Sequence, residues 1–380
     1  MSEYQKIIPI ANDILKNHEL CCHCLGRLFS KQLHLSSNKL LGQKLKKNFE
    51  SSKKCFICKN LFDHLDYFLN MMIDYTSDYS YRTFGIGITV KPSIIDRDDY
   101  IRSKYKLAGT DSVKTDITKE LCKSFSKKTK KVLDFLDPEI HFLINFKNES
   151  CLLHSKSITF SGRYVKTVRG ITQKQKSCTN CNGDGCRTCL LHGISEFTSI
   201  EGMISQYLFK KFGGTTTKFT WIGGEDKSSL VLGAGRPFFV KLNHPNKRTS
   251  KLTSIDLDSI KLKNLKIIDK FPQKPILFSS SIEIKISSRS TIDSQYLKTL
   301  KNICDSPVLV CETSGKRFEK QIFSLSYKKH SLHTFSLFMK VEGGLPIRRL
   351  IEGGGVSPNV SEILRCKCTC EEFDFHDILV

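Results

Sequence analysis

Eight cysteines fall in four Cys-x-x-Cys pairs: Cys21/Cys24, Cys55/Cys58, Cys178/Cys181 and Cys186/Cys189. Two thiolates two residues apart on a tight turn both reach one tetrahedral ion, so the pairs read as ligands of structural zinc, four to a site. The first two pairs would staple the N-terminal segment to the start of the helix that follows. The last two lie in CTNCNGDGCRTC, where Gly183 and Gly185 let the backbone fold sharply around a second ion. Buried or redox-active cysteines are the plain alternative. Cys366, Cys368 and Cys370 alternate as in a strand, with side chains on one face, which leaves room for a third metal site. The other cysteines are expected to be core or surface thiols.

A second feature is an acidic pair. The stretch WIGGEDKSSLVLGAGRPF sets Glu225 and Asp226 between a Gly-Gly turn and a second glycine-rich turn. The chain around them is basic: 60 Lys and Arg stand against 38 Asp and Glu, a formal charge of +22. The lysines are spread in short clusters such as Lys44 to Lys47 and Lys127 to Lys131. A distributed field of this kind favours a polyanion, most simply nucleic acid, although a lysine-rich genome would raise the same count. A carboxylate placed against that field calls for a reason.

The 380 residues, 39% hydrophobic and 26% charged, are enough for two or three folded domains. No charged-then-apolar leader opens the sequence, and no apolar run approaches the roughly 20 residues a membrane span requires. A cytosolic or nuclear protein is therefore expected, where thiols stay reduced and no membrane is engaged.

The elements that must position these groups follow from apolar spacing. Ile7 to Leu20 and Asn60 to Tyr75 have helical periodicity. Thr83 to Val90 reads as a strand, followed by the polar 96–99 and a basic helix from about Asp111 to Leu136. Strands over His141 to Phe146 and Leu152 to Phe160 then close an α/β unit, with a domain boundary near residue 165. A cysteine-rich insertion occupies 178–193. A capping box, Thr198 to Glu201, opens a helix that stops at Gly213 and Gly214. Strands follow at Thr217 to Ile222, Ser229 to Leu232, Pro237 to Leu242, Ile282 to Ser287 and Phe335 to Val341. No internal repeat is found.

Read together, several segments resemble the Pus-ten family of tRNA pseudouridine synthases of archaea and many eukaryotes. The resemblance is carried by CCHCLGR at 21–27, CFIC at 55–58 and GRYVKTVRGITQ at 162–173. It continues through the acidic stretch, similar to the family's Gly-Arg-Glu-Asp segment followed by Leu-Gly-x-Gly-Arg-Pro-Phe, and through EGGLPIRRL at 342–350. Order and spacing run along nearly the whole chain.

The resemblance implies an α+β protein. Residues 1–165 would form a zinc-binding module with a THUMP-type RNA-binding region, and residues 166–380 a pseudouridine synthase domain with a mixed, largely antiparallel sheet. It also implies isomerisation of uridine at T-loop positions 54 and 55 of tRNA by a monomer, without an organic cofactor or a small-molecule substrate. Asp226 matches the catalytic aspartate, acting as nucleophile or base on a uridine flipped out of the folded RNA. Arg348 matches the basic partner that keeps Asp226 ionised and aimed, and Leu350 an apolar wall of the uracil pocket. Arg163, Lys166 and Arg169 are expected to bind RNA. Arg236 is expected either to contact a phosphate or to cap its turn, and Phe238 and Trp221 to stack on RNA or to join the core. Glu225, pointing the other way from Asp226 in an extended segment, is expected to be structural.

Departures from the family pattern are local. Gly224 and Leu230 stand where the family has arginines, and the base-stacking tyrosine would fall near Ile282, with Tyr296 and Tyr327 the nearest in sequence. Pro346 replaces a tyrosine, and Glu352 to Gly355 shortens a Gly-Asp-x-Gly-Arg-Thr segment. A catalytically weak or inactive tRNA-binding relative is the alternative these changes raise. A zinc-dependent nucleic-acid-binding or chaperone module is another, since CTNCNGDG resembles one repeat of the Hsp40 chaperone zinc domain.

Overall fold

Secondary structure follows the apolar spacing along most of the chain. The computed structural model describes residues 3–30, 33, 37–47, 54–107, 110–249, 252, 254–272 and 275–380. It divides into two units, 1–156 and 157–380. The division falls earlier than the boundary read near residue 165, because the stretch expected as one strand, Leu152 to Phe160, is two strands in different sheets.

The first unit contains helices α1 (Glu3–Asn17), α2 (Cys22–Ser30), α3 (Asn38–Leu45), α4 (Leu65–Tyr75), α5 (Pro92–Lys104) and α6 (Val113–Thr129). Its strands are β1 (Thr83–Thr89), β2 (Val132–Leu133), β3 (Ile140–Asn145) and β4 (Ser150–Ser155), in the order β2-β1-β3-β4. β1 runs parallel to both neighbours and β4 antiparallel to β3. Phe84, Ile86 and Ile88 of β1 are buried in one core with Ile117, Leu121 and Phe125 of α6. The basic helix ends before Leu136 because Lys130 adopts φ 60°, and Val132 and Leu133 pair with β1 instead. The polar stretch 96–99 lies inside α5: Pro92 starts the helix, Ile94 and Ile101 are buried, and Asp98 is 1% exposed against Arg27.

The second unit begins with β5 (Ile158–Lys166) and α7 (Ile200–Phe212), then β6 (Thr217–Trp221), β7 (Val231–Leu242), β8 (Ile255–Leu257), β9 (Ile260–Ile268) and β10 (Ser279–Ser288). After α8 (Ser294–Thr299) come β11 (Val308–Cys311), β12 (Arg317–Lys320), β13 (Ile322–Lys329) and β14 (Thr334–Glu342). α9 (Ile347–Glu352), β15 (Val356–Ser357), α10 (Val360–Ile363) and β16 (Cys368–Leu379) complete it. Among the described residues the main sheet runs β13-β14-β10-β16-β7-β5-β9-β8, with β6 also on β7. Every pairing is antiparallel except the short parallel contact of β16 with β7, where Phe375 faces Val231. A small sheet, β12-β11-β15, stands apart. The cap of α7 is Ser199 rather than Thr198: its hydroxyl accepts from the Gly202 N–H at 3.0 Å, while the Glu201 carboxylate accepts from Gln175.

β7 positions the acidic pair. Its C-terminal half is flanked by β6, with Trp221 opposite Phe238, and its first residue by β16. The strand thus changes neighbour part-way along, and residues 222–230 cross the gap. Gly233 (φ 56°) and Gly235 (φ 82°) bend β7 where a side chain would strike the His376 and Tyr164 carbonyls. Among the described residues no helix is long and apolar enough to cross a membrane.

Candidate active site and metal centres

The loop between β6 and β7 closes on itself at Asp226. The Ser229 N–H donates to the Asp226 carbonyl at 3.0 Å, and the Ser228 N–H to the Asp226 carboxylate Oδ1 at 3.0 Å, an Asx turn inside a β-turn. The Ser228 hydroxyl lies 3.0 Å from the same oxygen. On the other side Arg348, in the first turn of α9, donates from Nε to Oδ2 at 2.8 Å. The Asp226 side chain is 29% exposed and that of Arg348 38%, so the pair opens to solvent. Arg348 is itself fixed by Nη1 on the Cys370 carbonyl at 2.7 Å and by Nη2 on the Ser228 hydroxyl at 3.2 Å. The Ser228 N–H, with Arg348 adding to it, holds the Asp226 carboxyl below its ordinary pKa against the opposing effect of burial. The result is an ionised, aimed and accessible carboxylate.

Glu225 faces the opposite way. Its side chain is fully buried between Lys166 (Nζ to Oε1, 3.2 Å) and Arg236 (Nε to Oε2, 3.3 Å), both 0% exposed. Tyr164 donates its hydroxyl to Glu225 Oε2 at 2.8 Å, and burial together with the Glu225 charge raises the phenol pKa far above its ordinary value, so it stays a donor. Gln173 bridges the Tyr164 oxygen (3.1 Å) and the Gly223 carbonyl (3.3 Å).

The segment 163–173 sews this loop down. Lys166 Nζ donates to the carbonyls of Ile171 (3.0 Å), Asp226 (3.3 Å) and Lys227 (3.4 Å). The Gly170 N–H donates to the Lys227 carbonyl at 2.7 Å, and Arg169 donates to that of Ser228. Arg169 forks onto Asp374 at 2.7 and 2.6 Å and pairs with Glu372 at 3.1 Å, while Asp374 also accepts from the Leu230 N–H. Three successive carbonyls of the acidic turn are thereby held from one neighbouring segment.

A family model described as Pus10, C-terminal, matches residues 160–378. The chain belongs to the Pus10 family. A second model, the archaeal Pus10 THUMP domain, matches residues 68–145, so the first unit carries a THUMP domain over α4 to β3. A tRNA pseudouridine synthase Pus10 of Nitrosopumilus maritimus is 63% identical over the full length of both chains. That of Cenarchaeum symbiosum is 32% identical over 96% of this chain and 91% of its own, and that of Pyrococcus furiosus 27% over 98% of each.

Within this Pus10 chain, two of the basic residues considered for RNA contact, Lys166 and Arg236, are turned inward, while Arg163 and Arg169 are partly exposed. Lys166 and Arg236 have no exposed side-chain surface, and Arg236 also donates to the Ile222 carbonyl at 2.9 Å and stacks 4.3 Å from the Phe375 ring. Arg163 donates to the carbonyls of Ala234, Gly235 and Ile378, and Arg169 is held by its two carboxylates. Through these contacts each braces β7 or the acidic turn. Leu350 is likewise 0% exposed in the core, and Phe238 and Trp221 pack there too. Ile282 is 3% exposed, paired in register with Met339 and Phe375. Tyr296 lies under the Arg365 guanidinium at 5.2 Å, and Tyr327 pairs with Leu337. Sequence reasoning passed over Ser228, which the Asp-x-Ser spacing of an Asx turn would have flagged, and Asp374, which no local signal marks.

Two four-cysteine clusters have the donor sets for a metal ion. In each, Cys21, Cys24, Cys55 and Cys58, and Cys178, Cys181, Cys186 and Cys189, the four sulfurs lie within 4.8 Å of one another. The measured separations, 3.6 Å for Cys21 to Cys58, 3.7 Å for Cys186 to Cys189 and 3.8 Å for Cys181 to Cys189, match the edge of about 3.8 Å that a tetrahedron with metal–sulfur bonds of about 2.3 Å requires. Backbone N–H groups of Gly185, Cys186 and Gly193 point at sulfur in the second cluster at 3.2 Å, and those of Cys186 and Gly193 pull the Cys189 thiol down to about 6. The trio 366, 368 and 370 differs: Cys368 and Cys370 are buried in the core of β16, where burial raises both thiols to about 12.

Proposed function

We propose that this chain uses Asp226 to convert uridine to pseudouridine in the T-loop of tRNA, at position 54, 55 or both. Full-length identity to tRNA pseudouridine synthases makes the chain an enzyme of that class. The observation that supports Asp226 is its place: the one carboxylate of the acidic pair that opens to solvent, in an ion pair with Arg348. The reaction is an isomerisation. The C1′–N1 bond breaks with its electron pair passing to N1, the base turns, and C5 bonds to C1′. The C5 proton is lost and N1 ends protonated, so no atom is gained and no redox or organic cofactor is required. A carboxylate held ionised beside the sugar serves as nucleophile or base, provided the uridine is flipped from its stack.

The two cysteine clusters are the seats for structural zinc, and the THUMP-bearing first unit a docking surface for tRNA. The test is incubation of purified protein with unmodified tRNA transcript and site-resolved pseudouridine mapping, beside Asp226→Asn. Product in the T-loop that vanishes in the variant, with tRNA binding intact, is expected. Unchanged product in Asp226→Asn would reject the assignment of the carboxylate.

A further inference from the structure

The geometry points to Ser228 as the residue that decides which oxygen of Asp226 is free to react. This inference rests on the reading of Asp226 as the reacting carboxylate. Each oxygen of an ionised carboxylate offers about two acceptor sites. Oδ1 is in contact with both the N–H and the hydroxyl of Ser228 at 3.0 Å, whereas Oδ2 accepts from Arg348 Nε at 2.8 Å. Oδ1 is therefore full and Oδ2 keeps an open site. Whether the carboxylate attacks C1′ or takes a proton, it must use a lone pair, and that lone pair is on Oδ2.

The direction of the Ser228 proton is set by its neighbours. Arg348 Nη2 stands 3.2 Å from the Ser228 hydroxyl, and a guanidinium can only donate. The hydroxyl oxygen accepts there, leaving its own proton to Asp226 Oδ1. Asp226, Ser228 and Arg348 thus close a ring in which every donor is assigned. The ring is anchored from behind, since the Ser228 carbonyl accepts from Arg169, which is forked onto Asp374. Ser228 acts through Asp226 and is a positioning residue.

The experiment compares Ser228→Ala, Ser228→Thr and Asp226→Asn in single-turnover pseudouridine formation on tRNA transcript, each over a range of pH. Ser228→Ala keeps the backbone N–H but loses the hydroxyl. A rate about tenfold lower is expected with tRNA affinity unchanged, the size of one hydrogen bond to a charged group. Since that bond favours the ionised acid, its loss raises the Asp226 pKa and the acid limb of the rate profile moves to higher pH. Ser228→Thr keeps the hydroxyl and should restore both rate and limb. A wild-type rate and limb in Ser228→Ala beside an inactive Asp226→Asn overturns the role of Ser228 alone. A slow Ser228→Ala with an unmoved limb and no rescue by threonine overturns it too, as a merely structural effect. An active Asp226→Asn would remove the reading of Asp226 itself.

Discussion

Glu225 is the residue whose loss should unsettle the second unit most. It carries one negative charge against the two cations of Lys166 and Arg236, all three side chains at 0% exposure. The amide of Glu225→Gln keeps the shape but leaves two positive charges facing each other out of water. Removing one partner of a buried ion pair costs roughly 3–5 kcal/mol. Lys166→Met removes one cation of the surplus instead and leaves Glu225 paired one-to-one with Arg236. Its cost, about 1–3 kcal/mol, comes chiefly from the Ile171 carbonyl, because those of Asp226 and Lys227 keep the N–H groups of Ser229 and Gly170. The order of the two variants, acid worse than lysine, is the signature of the buried charge balance.

The assay is built into the chain. The single tryptophan, Trp221, lies in the second unit with its ring 5.6 Å from that of Tyr164, so its fluorescence follows this unit through unfolding. At roughly 2–4 °C per kcal/mol for a unit of this size, Glu225→Gln should lower the Trp221 transition by about 6–20 °C. Guanidinium titration should give the same order. A Glu225→Gln within about 1 kcal/mol of wild type, or a Lys166→Met that is the less stable of the two, would refute the reasoning.

Two further outcomes concern the first unit and the metal. Elemental analysis should find two zinc ions per chain and one in Cys24→Ser; fewer than one in the wild type rejects both clusters. Gly42→Ala should destabilise the unit by about 1–3 kcal/mol or more and loosen the first metal, measured as faster release to a chelator. A Cβ on Gly42 would lie 1.8 Å from the Cys22 carbonyl, and one on Gly26 1.8 Å from that of Asn38, so α2 and α3 meet backbone to backbone beside Cys21 and Cys24. Chelator release at the wild-type rate would show that this contact does not hold the ligands.

What was legible in the sequence is what depends on near neighbours. The candidate metal ligands stand out because two thiols on one turn can serve one ion, and all eight cysteines come together as their spacing suggests. β1, β3 and β14 lie within a residue or so of their expected places because their apolar faces are continuous. The Asp226–Arg348 pair, 122 positions apart, was reached through family motifs and not through any local pattern. The polar helix α5 was missed because its inward Asp98 is satisfied by Arg27, a residue 71 positions away. The split of Leu152 to Phe160 between two sheets has the same cause: alternation marks a strand without naming its partners.

The basic residues show the limit most clearly, and they also account for the acidic pair. Charge counting weighs every lysine and arginine of a +22 chain alike, yet a cation's role depends on which acceptor it reaches. Arg163, Lys166, Arg169 and Arg236 reach carbonyls, Glu225, Glu372 and Asp374, and none of these partners can be read from the motif that carries them. Glu225 and Asp226 then divide the work by facing opposite sides of the loop. Glu225 turns inward and neutralises part of the positive charge that holds the turn. Asp226, one residue on, turns outward with its carbonyl tied to Lys166 and its carboxylate to Ser228 and Arg348. An acid exposed alone on this surface would be free to pair with any passing lysine; fixed from both sides, Asp226 keeps a free acceptor site on one oxygen.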